Sequence, residues 1–352
     1  MTNKPKYHFI EWNRQKRSYD FALAAILLLA GLSFVAITLA LKPNTTPETL
    51  IIRATSLLSF VLLHVILIIG PLARLDRRFL PLLYNRRHLG VTMFLLALVH
   101  AGIATMQYHG FSDENPLVSI FAAYQQDYDP FLLQSVNISN FPFEPFGFFA
   151  LIILFLMAAT SHDYWLKQLG ASTWKFLHLL VYLAYGLLVL HVAFGVLQSE
   201  YNPVYTILLT AGFSLVVGLH IAAGFKEGVV DRRTSAVTAE GYIATCSLDE
   251  LSEGEIRTVA TEDGRIAIAR TGDEVHALSN VCAHQGGPIG EGKIENGCVT
   301  CPWHGWQFRL SDGRSPAPYE DKIPTYPVRI IDGIIFVKTD SDEVASESKN
   351  RG

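Results

Sequence analysis

Half of the 352 residues are hydrophobic, only 17% are charged, and the formal net charge is −4. Ordinary soluble domains carry about 25% charged residues, so the chain reads as a membrane protein, and its near-neutral balance points to no nucleic-acid partner. Its four cysteines, at 246, 282, 298 and 301, suit no secreted disulfide framework, and the polar mixture of residues 1–20 suits no cleaved leader.

After that cytoplasmic tail, apolar runs cover about 21–41, 51–70, 89–108, 145–160, 176–196 and 203–224. Most reach the ~20 residues needed to cross the hydrocarbon core. The fourth is shorter, with "FPFEPFGFF" before it able to extend it at the interface. Backbone polar groups cannot stay unpaired in lipid, so the expectation is a membrane α-helical bundle of six spans. Basic residues set its orientation. Lys4, Lys6, Arg14, Lys16 and Arg17 precede the first span. Arg74, Arg77, Arg78, Arg86 and Arg87 follow the second, Lys167 and Lys175 the fourth, and Lys226, Arg232 and Arg233 the sixth. From His109 to Glu144 there is no Lys or Arg. The positive-inside rule then puts both termini in the cytoplasm, as expected for a multi-pass protein of the cell's inner membrane. The cysteines therefore face a reducing compartment.

Ionisable residues inside spans are functional candidates, and here they are His64, His88, His100, His178, His191 and His220. His220 reads as an ordinary interhelical hydrogen-bonding residue. The others suit axial ligation of haem iron between facing helices. His178 and His191 lie about 20 Å apart along a helix axis, one near each leaflet. Depth pairs His100 with His191 on the outer side, and His178 with His88 or His64 on the inner side. Rotation opposes this scheme, because thirteen residues of ideal helix turn a ligand about 140° away.

Residues 225–240 read as a linker. Beyond it lie short alternating runs, "RIAIAR", "VHALSN", "GCVT" and "IIFVK", punctuated by Gly and Asp as a small all-β domain requires. Within them stand Cys282-x-His284 and, sixteen residues on, Cys301-x-x-His304. One candidate is structural zinc, whose fingers usually pair Cys with Cys and His with His. The other is a Rieske centre, in which one iron takes two thiolates and the other two imidazoles. One Cys and one His in each short segment favours the second. Gly286, Gly287, Gly290, Gly292 and Gly305 permit loops that approach a cluster closely. Cys246 and Cys298 read as small buried strand residues.

From "GYIATCSLDELSEGEIRTVA" through "CPWHGWQF" to "SPAPYEDKIPTYPVRI", residues 241–340 resemble a Rieske [2Fe–2S] domain. The resemblance implies that Cys282 and Cys301 hold one iron and His284 and His304 the more exposed one. Rieske proteins of quinol-oxidising complexes add a disulfide cysteine to each loop and a cluster-facing Ser. At those places this chain has Gly287, Trp303 and Trp306, which places it with the low-potential Rieske ferredoxins of oxygenases. "IIGPLARL", "NRRHLGVTMFLLALVHAG" and "WKFLHLLVYLAYGLLVLHVAFG" are similar to the ferric reductase-like transmembrane domain, over about residues 20–224. That superfamily includes ferric reductases, NADPH oxidases and the haem-bearing partner of a periplasmic methionine sulfoxide reductase, the type most similar here. It implies haem ligands at His100, His178 and His191, with His88 near a fourth position and Arg74, Arg86 and Arg87 available to propionates.

The flavin- and nicotinamide-binding module of the reductases has no counterpart after residue 225, where no G-x-G-x-x-G follows a strand. The expected activity is electron transfer without a catalytic residue of its own. A cytosolic reductase or ferredoxin feeds the [2Fe–2S] cluster, which feeds one or two haems b. The acceptor is a quinone, a ferric chelate or an external protein at the outer face. The 109–144 loop and Arg53 are candidate acceptor contacts. Reverse flow from quinol to a cytosolic oxygenase, and a non-catalytic redox sensor, are the alternatives. Residues 341–352 read as a disordered tail.

Overall fold

In the computed structural model the described residues are 14–83, 85–110, 115–122, 143–199, 202–232, 241–261, 264–283, 286–303, 305–317 and 319–339. They fall into two units, one within 8–68 and 85–218, the other within 69–84 and 219–352.

The first unit is helical, as are residues 69–83 and 219–232 of the second apart from short turns, because hydrocarbon leaves each segment to satisfy its own backbone. In chain order the helices are α1 (Arg14–Leu41), α2 (Pro47–Leu75), α3 (Leu80–Leu83), α4 (Arg86–His109), α5 (Pro116–Ala122), α6 (Glu144–Ala159), α7 (Asp163–Leu179), α8 (Val181–Phe194), α9 (Val196–Ser199) and α10 (Pro203–Arg232). Among the described residues, five stretches are long and apolar enough to cross a membrane: Arg17–Leu41, Pro47–Leu75, Arg86–His109, Thr173–Phe194 and Pro203–Val229. The sequence-expected fourth span is the shorter α6, whose 16 residues rise about 24 Å. It packs along α8 and α4, and Ala150 and Leu154 are buried. On α1, Phe21, Ile26, Leu28 and Leu29 stay exposed, as a lipid-facing helix requires. The chain is a multi-pass membrane protein.

Two details differ from the ideal geometry assumed above. The fifth span is interrupted at Leu180, whose N–H bonds to Leu177 O in a tighter turn (3.2 Å) before α8 begins. In the last span, α10 continues to Arg232, so the first half of the expected linker is helical and residues 233–240 lie outside the described set.

The C-terminal domain is all-β. Its antiparallel sheets run β1-β10-β9, β2-β3-β4-β8 and β5-β6-β7. The strands are β1 (Tyr242–Ser247), β2 (Ile256–Thr261), β3 (Gly264–Thr271), β4 (Glu274–Ser279), β5 (Lys293–Glu295), β6 (Cys298–Thr300), β7 (Gln307–Arg309), β8 (Thr325–Tyr326), β9 (Val328–Ile331) and β10 (Ile334–Lys338). The β5–β6 and β9–β10 hairpins turn on Asn296-Gly297 and Asp332-Gly333, all four at positive φ, the geometry that matches strand twist. Strand β3 lies between two cores. Ile266 and Ile268 face one with Leu251, Ile335 and Val337. Ala267 and Ala269 face the other with Leu278, Ile289, Val299 and Phe308. The period of two along a strand assigns these neighbours, and the second core contains Cys282 and Cys301.

Candidate metal centres

Cys282 follows β4 and Cys301 follows β6, each only 2% exposed. Their loops repeat one hydrogen-bond pattern. Cys282 N donates to Gly287 O (2.9 Å) and Gly286 N to Cys282 O (2.7 Å). Cys301 N donates to Trp306 O (2.7 Å) and Gly305 N to Cys301 O (3.0 Å). The fourth residue after each cysteine sits at φ +69° or +71°, where a Cβ is strained and glycine is free. The loops also meet. A Cβ on Gly287 would stand 2.7 Å from Cys301 Sγ, so this position has no space for the extra cysteine of quinol-oxidising Rieske proteins. All four cysteines are free thiols. Trp303 and Trp306 pack against the same core, and Trp306 Nε1 donates to the buried Ser315 Oγ (3.1 Å).

Two buried thiols on facing, glycine-tightened loops fit an iron–sulfur cluster. His284 and His304 lie outside the described residues, so among those residues no group of three metal-ligating side chains assembles. Cys298 is buried on β6. Burial also pushes its thiol pKa up, as it does for Cys246, which keeps both protonated and poor as ligands.

In the helical unit the structure brings His100 of α4 and His191 of α8 together. Their ring centres are 6.4 Å apart, with planes 79° to each other. His100 Nδ1 is bound to Ile52 O (3.1 Å) and His191 Nδ1 to Phe143 O (2.9 Å). A carbonyl has no proton to give, so each Nδ1 donates and each Nε2 keeps its lone pair. Ligating histidines are held in this way. An ion held about 2 Å from each of two imidazole nitrogens separates the ring centres by about 6 Å, close to the spacing found. Glycine makes the fit possible: a Cβ on Gly147 of α6 would lie 2.7 Å from His191 Nδ1. The pair fits a bis-imidazole haem.

The inner candidates separate. His178 Nδ1 donates to Trp174 O (2.9 Å). Its Nε2 is buried with no partner of normal hydrogen-bond geometry, although the Met157 carbonyl is within reach. Arg86 and Arg87 lie within electrostatic reach of this ring, near the α4 end that carries His88. His88 Nδ1 contacts Asp20 Oδ1 (2.8 Å), the carboxylate–histidine arrangement that orients metal ligands. His64 uses both nitrogens: Nδ1 on Phe60 O (2.8 Å) and Nε2 with Tyr185 OH (3.1 Å). It also closes on α10, since a Cβ on Gly212 would meet its Nε2 at 2.8 Å. Both ring nitrogens of His64 thus have partners within the bundle. Sequence reading missed Asp20, although an acidic residue at the start of an apolar run is a visible signal. It also missed Tyr185 and Gly147, which carry no such signal. Arg53 is exposed on α2, and the loop residues 111–114 and 123–142 lie outside the described set.

The model of the Rieske [2Fe-2S] domain matches residues 241–327, and that of the ferric reductase like transmembrane component matches 54–189. The anthranilate 1,2-dioxygenase ferredoxin subunit of Burkholderia cepacia is 35% identical over 105 residues, covering 30% of this chain and 96% of the subunit. Human apoptosis-inducing factor 3 is 28% identical over 109 residues, 31% of this chain but only 18% of that protein. A solved ferredoxin of Sphingomonas yanoikuyae B1 is 28% identical, with 28% of this chain and 98% of the ferredoxin covered and a TM-score of 0.27. The two family matches and the similarity to the dioxygenase ferredoxin subunit define a membrane-bound electron-transfer protein with redox partners. The chain belongs to the Rieske [2Fe–2S] family, its cluster domain fused to a ferric reductase-like transmembrane component.

Proposed function

We propose that this protein passes single electrons across the membrane, from a cytosolic reductase or ferredoxin to an acceptor at the outer face. Cys282, His284, Cys301 and His304 hold the cluster. His100 and His191 hold an outer haem b, and His178 with His88 an inner one. The bound groups supply one-electron exchange; the chain supplies ligation, orientation and a dry setting. The carbonyls of Ile52 and Phe143 fix the outer imidazoles, while Asp20 fixes His88. Arg86 and Arg87 offer positive charge to propionates on the inner side. The basic residues around the end of α2 and the start of α4, and those at the end of α10, support a cytoplasmic cluster domain. The acceptor is a quinone, a ferric chelate or an external protein.

The observation that carries this reading is the His100–His191 pair, two imidazoles preset at metal-bridging distance in a chain that carries a Rieske domain. An optical and EPR redox titration of purified protein tests it. A low-spin haem that disappears in His100→Ala and in His191→Ala, with the Rieske signal intact, is the expected result. Full haem in His100→Ala rejects the pairing.

A further inference from the structure

The inner end of α10 reaches two other parts of its unit through neighbouring side chains. Lys226 Nζ donates to the carbonyls of Arg74 and Leu75 (2.8 and 3.1 Å). These end α2, where carbonyls lack helical partners and favour a cation. The next residue, Glu227, forms a hydrogen-bonded ion pair with the Arg265 guanidinium, 38 residues along the chain. The two side chains are 26% and 31% exposed, so solvent screens them only in part.

Arg265 lies near the start of β3, and its backbone has a second task. Its carbonyl accepts from Asn280 N (2.9 Å). Asn280 is buried and closes the base of the first cluster loop: its carbonyl accepts from Ile289 N (2.9 Å) and its Oδ1 from Gly290 N (2.6 Å). Cys282 stands two residues further on. Arg265 therefore carries the last membrane helix on its side chain and the root of the Cys282 loop on its backbone, with β-ladder bonds between.

We propose that Glu227 and Arg265 form a latch that fixes the orientation of the cluster domain against the inner end of α10. They are positioning residues, and their use in electron transfer rests on the reading above. An isolated surface pair is weak. Here only residues 233–240 separate the helix from the domain, a reach of about 27 Å even when fully extended. Contact is intramolecular at high effective concentration, so one pair suffices to bias the pose. Electron tunnelling falls steeply with distance, which makes a fixed pose useful.

The test uses oriented membrane multilayers of the full chain, with the cluster reduced and its anisotropic EPR signal recorded as the sample is tilted in the field. A latched domain gives a signal that varies with tilt. Glu227→Ala is expected to flatten that variation while leaving the frozen-solution signal unchanged in position and intensity, which excludes misfolding. The exchanged pair E227R/R265E is expected to restore it. Unchanged tilt dependence in Glu227→Ala, or a wild-type signal that ignores tilt, overturns the proposal. The readout needs neither haem nor electron flow, so loss of the electron-transfer reading does not imitate loss of the latch.

Discussion

Replacing Gly147 by Ala tests the proposed outer haem site without touching a proposed ligand. The new Cβ would stand 2.7 Å from His191 Nδ1 and 2.8 Å from Cε1, so the ring must retreat by about 0.7 Å to reach ordinary contact. That retreat strains the 2.9 Å bond to Phe143 O and shifts the ring relative to that of His100, 6.4 Å away between ring centres. Overpacking of this kind costs about 1–3 kcal/mol. Disturbing the partner that orients a metal ligand lowers metal affinity about 10–100-fold, which corresponds to about 1.4–2.8 kcal/mol, so two independent routes agree. The assay is haem content per chain together with the low-spin optical spectrum, with the Rieske EPR signal as internal standard for folding. Gly186→Ala is the matched control, since a Cβ on that residue of α8 meets nothing within 4 Å. Weakened haem retention in Gly147→Ala alone is expected. Full haem with an unshifted spectrum in Gly147→Ala would refute the reasoning, because His191 would then not be held where its ligation requires.

At the inner site, His178→Ala and His88→Ala are both expected to remove a second haem and spare the outer spectrum, whereas His64→Ala leaves haem content unchanged; equal haem loss from His64→Ala would restore it as a ligand. In the cluster domain, Gly287→Ala puts a Cβ 2.7 Å from Cys301 Sγ and is expected to lose the Rieske EPR signal at least in part, with native signal intensity counting against the proposed role of Cys301. The cluster's midpoint potential is expected in the lower part of the roughly −150 to +300 mV Rieske range, because the loops carry no bracing disulfide; a potentiometric EPR titration near the upper end would contradict this.

The features legible in the sequence were those that local chemistry dictates. Apolar length marked the spans, and one Cys with one His in each short segment marked the cluster loops, whose shared hydrogen-bond pattern follows from Gly286 and Gly305. Depth along the helices paired His100 with His191. What stayed hidden was tertiary. Nothing in "FPFEPFGFF" says that Gly147 must lack a Cβ for the sake of a histidine 44 residues later. Likewise, the choice between His64 and His88 turns on Tyr185 and Asp20, each supplied by a different helix.

Inside-out membrane vesicles put transmembrane electron flow to the test, because in the proposed topology the cluster domain then faces the medium and the haem-side acceptor site faces the lumen. Ferricyanide is trapped inside, and a membrane-impermeant reductant is added outside. The cluster is expected to bleach, the haem absorption to follow and the trapped ferricyanide to be consumed, with consumption abolished in His100→Ala although its cluster still bleaches. A fully reduced cluster beside oxidised haem and undiminished ferricyanide in the wild type would contradict it.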